Sequence, residues 1–173
     1  QQAAATFQLY EQIFDRVEER LAVTDAADPE AIQAYIASLD GTLDQVDAIF
    51  IVDADGRVTS HSRAHPVPSG LNVADRDYFR IPQEEGVRLA VGEPTFGRIS
   101  ARRRTAPDGS FAGVIGITVS EGYFEKFHRT LRASPTDAQT LLRDDGVFLA
   151  RSPTAPNAPR AIPADSFKKM IAT

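Results

Sequence analysis

Two stretches of the chain share one design, in which an apolar run leads into an Asp-Gly turn and a second extended run. The first is "AIFIVDADGRVTSHS" at 48–62, and the second is "TLLRDDGVFLARSP" at 140–153. An apolar run, an Asp-Gly turn and a return run are typical of a β-hairpin. The two Asp-Gly turns lie 90 residues apart, from Gly56 to Gly146. This repetition indicates two tandem copies of one α+β module.

Helices are predicted before the first hairpin. Apolar residues recur at steps of 3, 4, 3 and 4 at Phe7, Tyr10, Phe14, Val17 and Leu21. This stripe predicts a long amphipathic helix, which either packs on its own domain or forms a dimer seam. A second helix follows, with Asp28 as its N-cap, Pro29 at its first position and Gly41 as its stop.

An antiparallel sheet is predicted after the helices. The expected elements are strands at 48–52 and 57–62, a short helix at 75–80, a polar stretch to about 91, strands near 97–104 and 111–119, and a helix from Ser120. The turn between the last two strands is Pro107-Asp108-Gly109. The material after residue 153 is too short to complete a second sheet. We therefore expect the second module to be incomplete, and the chain to be a piece of a longer protein.

Composition excludes several classes of function. The net charge of −5 argues against a general attraction to nucleic acid or to anionic lipid. The absence of cysteine excludes disulfides, thiolate zinc sites and cysteine nucleophiles. No run of 18 apolar residues is present, and the opening "QQAAATF" is not a signal peptide.

The order of motifs resembles the double-Cache family, the tandem PAS-like (PDC) sensor domains found outside the membrane in bacterial histidine kinases, diguanylate cyclases and chemoreceptors. The resemblance rests on a long helix, a strand-"DADG"-strand hairpin, "RDYF", a strand containing "PDGSFAGVIGI" and a helix beginning "EGYFEKF". It implies an α+β fold with N-terminal helices at 1–43, a membrane-distal PAS-like module at 44–132 and a partial membrane-proximal module at 133–173. It also implies a periplasmic or extracellular portion of an inner-membrane protein, which meets the membrane only through flanking helices outside this chain.

The resemblance also implies a ligand site. In this family, the arginine of an Arg-x-aromatic-aromatic motif grips a ligand carboxylate, and that role falls on Arg76, with Tyr78 as the matching aromatic. A guanidinium pairs bidentately with a carboxylate, and a phenol adds one directional hydrogen bond. The alternative is that Arg76 pairs with Asp75 or Asp77 and only caps the turn.

Further candidates lie on the predicted strands. Alternation places Arg102 and Arg104 on one face and Arg103 on the other. We expect Arg102 and Arg104 to face the cavity beside Arg76, although a solvated edge or a contact with the other module is the alternative. His61 lies near the pocket rim in the family pattern.

Thr118 completes the candidate ligand-binding residues. Members of the family that bind amino acids carry an aspartate near this position and a tyrosine near 95–96, and both are missing here. This departure argues against an α-amino acid ligand and leaves an organic acid, some other small molecule or no ligand.

Neither a metal site nor a catalytic site is predicted. His61 and His65 lack an obvious third ligand, and "DADG" lacks the acids of a calcium loop. No G-x-S-x-G, H-E-x-x-H, P-loop or Rossmann motif occurs. We therefore expect no cofactor and no enzymatic activity in the domain itself.

The sequence thus predicts the sensing domain of a transmembrane receptor, most simply a histidine kinase, that binds a small anion such as a carboxylate. A homodimer through the N-terminal helix is a further expectation. The alternatives are an interaction or dimerisation module without a small ligand, and the sensor of a diguanylate cyclase or chemoreceptor. A cytosolic enzyme domain would need catalytic pairing that the sequence lacks.

Overall fold

The computed structural model describes residues 2–24, 28–92, 98–119, 139–142 and 148–152. Its helices are α1 (Gln2–Val23), α2 (Pro29–Asp40) and α3 (Asp77–Glu84). Its strands are β1 (Val46–Val52), β2 (Val58–His61), β3 (Leu89–Val91), β4 (Arg98–Thr105), β5 (Phe111–Val119), β6 (Gln139–Leu142) and β7 (Phe148–Ser152).

The first five strands form one antiparallel sheet in the order β2-β1-β5-β4-β3, and β6 pairs with β7 in a separate hairpin. This confirms the predicted α+β fold with N-terminal helices. Both strands of the second predicted hairpin are present, whereas its Asp-Gly turn lies outside the described residues. The helix predicted from Ser120 also lies outside them.

Local signals explain where α2 and the first hairpin begin and end. The Asp28 carboxylate accepts a hydrogen bond from the Ala31 N–H at 3.0 Å, and Pro29 occupies the first turn. In the turn after β1, the Gly56 N–H donates to the Asp53 carbonyl at 3.1 Å, and the φ of Gly56 is +83°. That φ favours glycine, so this turn is fixed by its sequence.

Two boundaries differ from the prediction. The polar, glycine-containing stretch expected up to about residue 91 contains β3, a strand of three residues that was not predicted. The helix expected at 75–80 runs from Asp77 to Glu84 and continues past Pro82. Proline has no N–H, so one intrahelical bond is missing there.

Helix α1 packs on the sheet of its own domain. Tyr10, Phe14 and Val17 are buried, and Leu21 packs partly against the same core. Of the two alternatives for the apolar stripe, the structure shows packing within the domain. A homodimer through this helix remains a prediction, but its seam is not the part of the stripe from Tyr10 to Leu21. Within the described ranges, no helix is both long and apolar enough to cross a bilayer.

The five-stranded sheet has two differently covered faces. The face packed against α1 and α2, here called the α1 face, buries Ile49 and Ile51 of β1 and Ile115 and Ile117 of β5. The face packed against α3, here called the α3 face, carries a second cluster: Phe50, Val52, Val73, Tyr78, Phe79, Ala101 and Val114. Because side chains alternate along a strand, each strand contributes to both faces.

Candidate functional site

The centre of the α3 face is an aromatic group built on Phe50. Strand pairing places Phe50 directly opposite His61 on β2 and Gly116 on β5. The Phe50 and His61 rings stack with centroids 6.1 Å apart, and the Tyr78 ring meets Phe50 edge-on at 6.1 Å. The three rings therefore form one continuous surface contributed by β1, β2 and α3.

Gly116 makes room for this group. A Cβ at position 116 would collide with the Phe50 ring, because the ring lies directly over the β5 backbone. Phe50 was not among the residues predicted for the site. A glycine inside an apolar strand marks a close approach by another group, and "GVIGI" was the signal that could have indicated a large neighbour.

Tyr78 presents a protonated hydroxyl at this group. Its side chain is 8% exposed, and burial raises the pKa of Tyr78 to about 12. At neutral pH the phenol is therefore a hydrogen-bond donor. Among the described residues, its hydroxyl has no hydrogen-bond partner. Gly92 lies against the ring, since a Cβ there would be 2.9 Å from Tyr78 Cδ1.

His61 offers a second neutral donor. Its Nδ1 accepts a hydrogen bond from the Arg63 N–H at 3.2 Å, so the neutral ring carries its proton on Nε2. Burial lowers the pKa of His61, against the opposing charge of Asp40. The imidazole is therefore favoured in its neutral form near pH 7.

The position of His61 is fixed from the neighbouring helix. Gln33 of α2 donates its amide to the His61 carbonyl at 2.7 Å and accepts from the His61 N–H at 3.1 Å. Asp40, at the end of the same helix, binds Arg63 through two hydrogen bonds of 2.8 and 3.0 Å. The bonds from Gln33 pair the backbone N–H and carbonyl of His61 on the outer edge of β2, and together these contacts hold the imidazole against Phe50.

Thr118 lies on the same face, two residues along β5 from Gly116. It pairs with Ala48 of β1 and Ile99 of β4, and it is half-buried. Its neighbours Ile117 and Val119 point to the α1 face. Thr118 therefore adds a hydroxyl to the α3 face.

Arg76 lies at the entrance to α3. It is the N-cap residue of this helix, and its Nε lies 3.5 Å from an Asp75 carboxylate oxygen. Its side chain is 40% exposed, yet its charge is close enough to Tyr78 to oppose the rise in the pKa of that phenol. The pairing with Asp75 matches the capping alternative weighed from the sequence, and the proximity to Tyr78 matches the ligand-binding one.

Arg102 and Arg104 are on the opposite side of the sheet. Arg102 pairs across the strands with Ile115, whose side chain is on the α1 face, and its guanidinium reaches three carboxylates of α1. Arg104 feels the charge of Glu18, which is also on α1. The expectation that these two arginines line the cavity beside Arg76 is therefore corrected, because the sheet lies between them and Arg76.

Arg102 is fully buried within an acidic group on α1. Its guanidinium hydrogen-bonds to Glu11 and Asp15, and Nη1 lies 3.4 Å from Glu18 Oε2. It also stacks over the Phe14 ring at 5.0 Å. Burial opposes the charge, but the three carboxylates outweigh it and raise the pKa of Arg102. The spacing of 4 and 3 residues puts the acids on one face of α1, a pattern from which an arginine partner could have been predicted.

Arg103, which alternation places on the other face, contacts α3. Its Nη1 donates to the Pro82 carbonyl at 2.6 Å, and its guanidinium lies 4.9 Å from the centre of the Phe111 ring. Arg103 thus joins β4 to the end of α3. In the described part of the chain, no three metal-ligating side chains cluster, and this includes His61 and His65.

Similarity to solved structures agrees with this architecture. The extracellular domain of rpHK1S-Z16, a protein assigned to the histidine kinases, matches with 26% identity and a TM-score of 0.82 over 99% of this chain and 73% of that one. The ligand-binding domain of the Pseudomonas aeruginosa PAO1 chemoreceptor PctC, solved with GABA, matches at 17% identity and a TM-score of 0.62, over 91% of this chain and 79% of that one.

A third neighbour is the ligand-binding domain of the Pseudomonas fluorescens chemoreceptor CtaA, solved with L-valine, at 17% identity and a TM-score of 0.61, over 88% of this chain and 68% of that one. No protein-family model matches the chain, and no match is found among curated proteins.

These neighbours are sensor domains of membrane receptors and not catalytic domains. The resemblance predicted from "DADG", "RDYF" and "PDGSFAGVIGI" is thereby confirmed, and so is the extracytoplasmic location that it implied. The chain has the fold of the extracellular ligand-binding domains of bacterial histidine kinases and chemoreceptors.

Proposed function

We propose that this chain is the sensing domain of a bacterial transmembrane histidine kinase and binds a small carboxylate on the α3 face. The observation that carries the proposal is the Tyr78 hydroxyl, a donor on a largely buried side chain that has no hydrogen-bond partner in the described part of the chain. Polar groups on largely buried side chains normally find a partner, so an unused donor in a binding fold favours a ligand acceptor.

The surrounding groups support an anionic ligand. Tyr78 and His61 are neutral donors, Thr118 adds a hydroxyl, and Arg76 supplies positive charge at the entrance. PctC and CtaA were solved with GABA and L-valine, and both of these ligands contain a carboxylate. Charge-assisted hydrogen bonds to a carboxylate are stronger than neutral ones.

We expect that the ligand does not need an α-amino group in order to bind. The family position near residue 118, which is an aspartate in amino-acid sensors, is the uncharged Thr118 here. Without a carboxylate at that position, an ammonium group would lose its ion pair and would cost free energy to desolvate. Organic acids should therefore bind better than the corresponding α-amino acids.

Signalling would follow from movement of α1 relative to the sheet. A ligand shifts a conformational equilibrium only if it binds one state more tightly than the other. The ligand site and α1 lie on opposite faces of the same sheet, and Arg102 joins α1 to β4. A change in sheet geometry on binding would thus reach α1 through these contacts.

The test is a thermal-shift screen of the chain against carboxylic acids, amino acids, purines and polyamines. A ligand that binds only the native state raises Tm through mass action, by an amount that grows with ligand concentration. We expect a dose-dependent rise with one class of organic acid, and its loss in Arg76→Ala with the fold intact. Unchanged affinity in Arg76→Ala would remove this residue from the site.

The second candidate is an interaction module with no small ligand. The observation that favours it is the exposure of Arg76 and its ion pair with Asp75. A flat screen from folded protein would support this alternative. If only α-amino acids bind in the screen, the inference from Thr118, that organic acids bind better than the corresponding α-amino acids, is contradicted.

A further inference from the structure

A cavity lies away from the aromatic group, between the C-terminal half of α1 and the β4–β5 hairpin. Its volume is about 900 Å³, within the range of small-molecule sites. Helix α1 lines it with Glu18 and Leu21, and the rest of the chain contributes Arg88, Arg103 and Arg104. It therefore concentrates three arginines in a chain whose net charge is −5.

The free edge of β4 allows arginines from both faces to border this cavity. Strand β3 pairs with β4 only as far as Arg102, and the Arg103 N–H makes one further bond, to the Arg88 carbonyl at 2.9 Å. Beyond that point no described strand covers β4 on the side away from β5. The pairing of β4 with β5 is also irregular between Arg103 and Thr105, and both Arg103 and Arg104 border the cavity at this edge.

Most charges around the cavity already have partners. Glu18 contacts Arg102 at 3.4 Å, and Arg88 lies 3.6 Å from Asp15 and is largely exposed. Arg103 donates to the Pro82 carbonyl. The single acid of the lining is therefore engaged by an arginine that does not line the cavity.

Arg104 differs from its neighbours. It is half-buried, and it makes no hydrogen bond or ion pair with any of the described residues, although Glu18 and Asp53 act on it at longer range. Burial lowers the pKa of Arg104, against the opposing charges of Glu18 and Asp53. A guanidinium has five N–H donors in a planar fork, and arginine is seldom buried without a partner.

We propose that this cavity binds a small dianion, with Arg104 as the main contact and Arg88 and Arg103 at the rim. The shared chemistry is that of carboxylate and phosphate oxygens, both of which match the fork of a guanidinium. The lining of the cavity includes none of Phe50, His61, Tyr78 and Arg76, so the site adds to the proposed sensing function and does not depend on it.

Such a ligand would also touch the signalling helix. Glu18 and Leu21 belong to α1, whereas the arginines belong to β4 and to the segment before it. A bound dianion would bridge these elements and favour the arrangement in which they are closest. The cavity is therefore suited to a second input that biases α1 directly.

Calorimetric titration of the chain with inorganic phosphate and, separately, with succinate tests this proposal at constant low ionic strength. We expect saturable binding of at least one probe. Arg104→Gln should weaken it about tenfold or more, because a hydrogen bond to a charged group is worth about 1.5–3 kcal/mol. Arg16→Gln, an exposed arginine on α1, is the matched control and should leave affinity unchanged.

Two further variants make the outcome unambiguous. Succinate is itself a carboxylate, so phosphate is the probe that separates this cavity from the proposed sensing site, and Tyr78→Phe on the α3 face should leave the Kd of phosphate unchanged. If Arg104→Gln does not fold, Arg104→Lys keeps the charge but removes the fork, and weaker binding is again expected. Tighter binding of phosphate or of succinate assigns the ligand class. No saturable binding of either probe, or equal binding by the Arg104 variant and the wild type, would overturn the proposal.

Discussion

The two faces of the five-stranded sheet are closed in different ways. On the α1 face, the buried charge of Arg102 is matched by Glu11, Asp15 and Glu18. On the α3 face, Tyr78 has a largely buried side chain whose hydroxyl has no partner among the described residues. The first face pairs its charges within the chain and so serves stability, although the buried Arg102 Nε makes no hydrogen bond with the described residues, whereas the second face leaves a donor for something outside the chain. This difference predicts that substitutions on the two faces will affect different measurements.

The largest effect on stability is expected on the α1 face, from Arg102→Ala. This change removes the cation that holds three acids together and leaves space beside Phe14. Breaking a buried ion pair typically costs 3–5 kcal/mol, and the half-exposed acids can partly rehydrate, so we expect a loss of about 3 kcal/mol. Urea unfolding measures it, and Arg80→Ala, which removes an exposed pair with Glu84, should leave the midpoint nearly unchanged. A loss of less than about 1 kcal/mol in the free energy of unfolding would show that Arg102 and its three acids do not stabilise the fold.

A smaller loss is expected on the α3 face, from Gly116→Ala. The added methyl group meets the Phe50 ring, and overpacking of this kind costs roughly 1–3 kcal/mol. Gly41→Ala is the control, because its φ of −62° suits alanine and the new Cβ makes only ordinary contacts. Combining Gly116→Ala with Phe50→Leu should cost less than the sum of the single changes, since contacting residues are not additive. Strict additivity would contradict the placement of the ring over β5.

His61 gives the α3 face a pH-dependent contribution. Its pKa in the folded state is below the ordinary value of 6.5, so the unfolded chain takes up this proton first as the pH falls. Its contribution to stability is therefore complete above pH 6.5 and is lost as the pH drops below that value. Urea unfolding at pH 7.5 and 5.5 should show a smaller difference in His61→Gln than in the wild type. An NMR titration that put the pKa of His61 above 6.5 would reverse the sign.

Elements with a local sequence signal could be predicted, and elements that depend on distant contacts could not. Helix α2 and the first hairpin were predictable because Asp28, Pro29 and Gly56 act on their own neighbours. Strand β3 was missed because three residues at a sheet edge are too few to show the alternating pattern of a strand. Its existence depends on pairing with β4.

The sites were harder to predict than the fold. Alternation correctly separated Arg102 from Arg103, but it could not indicate which face α1 would cover. That depends on contacts such as Arg102 with Asp15, which are 87 residues apart in the chain. The pairing of Phe50 with Gly116 is equally non-local. The resemblance to sensor domains pointed to Tyr78 and His61, whereas the partners of each side chain required the structure.

The smallest effect on stability is expected from Tyr78→Phe, which removes only the unpartnered hydroxyl. The ring remains against Phe50 and Gly92, so the free energy of unfolding without ligand should change by no more than about 0.5 kcal/mol. Tyr35→Phe is a matched control on α2, where the hydroxyl makes only a long contact of 3.5 Å with the Arg16 carbonyl. A loss above about 1 kcal/mol in Tyr78→Phe would mean that the hydroxyl has a structural partner.

The same variant tests whether the α3 face binds a small carboxylate. The measurement is the Kd of the best organic acid from the screen, by calorimetry, for the wild type, Tyr78→Phe and Tyr35→Phe. We predict that Tyr78→Phe weakens binding by about tenfold, the worth of one hydrogen bond to a charged group, and that Tyr35→Phe binds as the wild type does. Equal affinity in all three proteins would show that the Tyr78 hydroxyl does not bind the ligand and would place the ligand elsewhere.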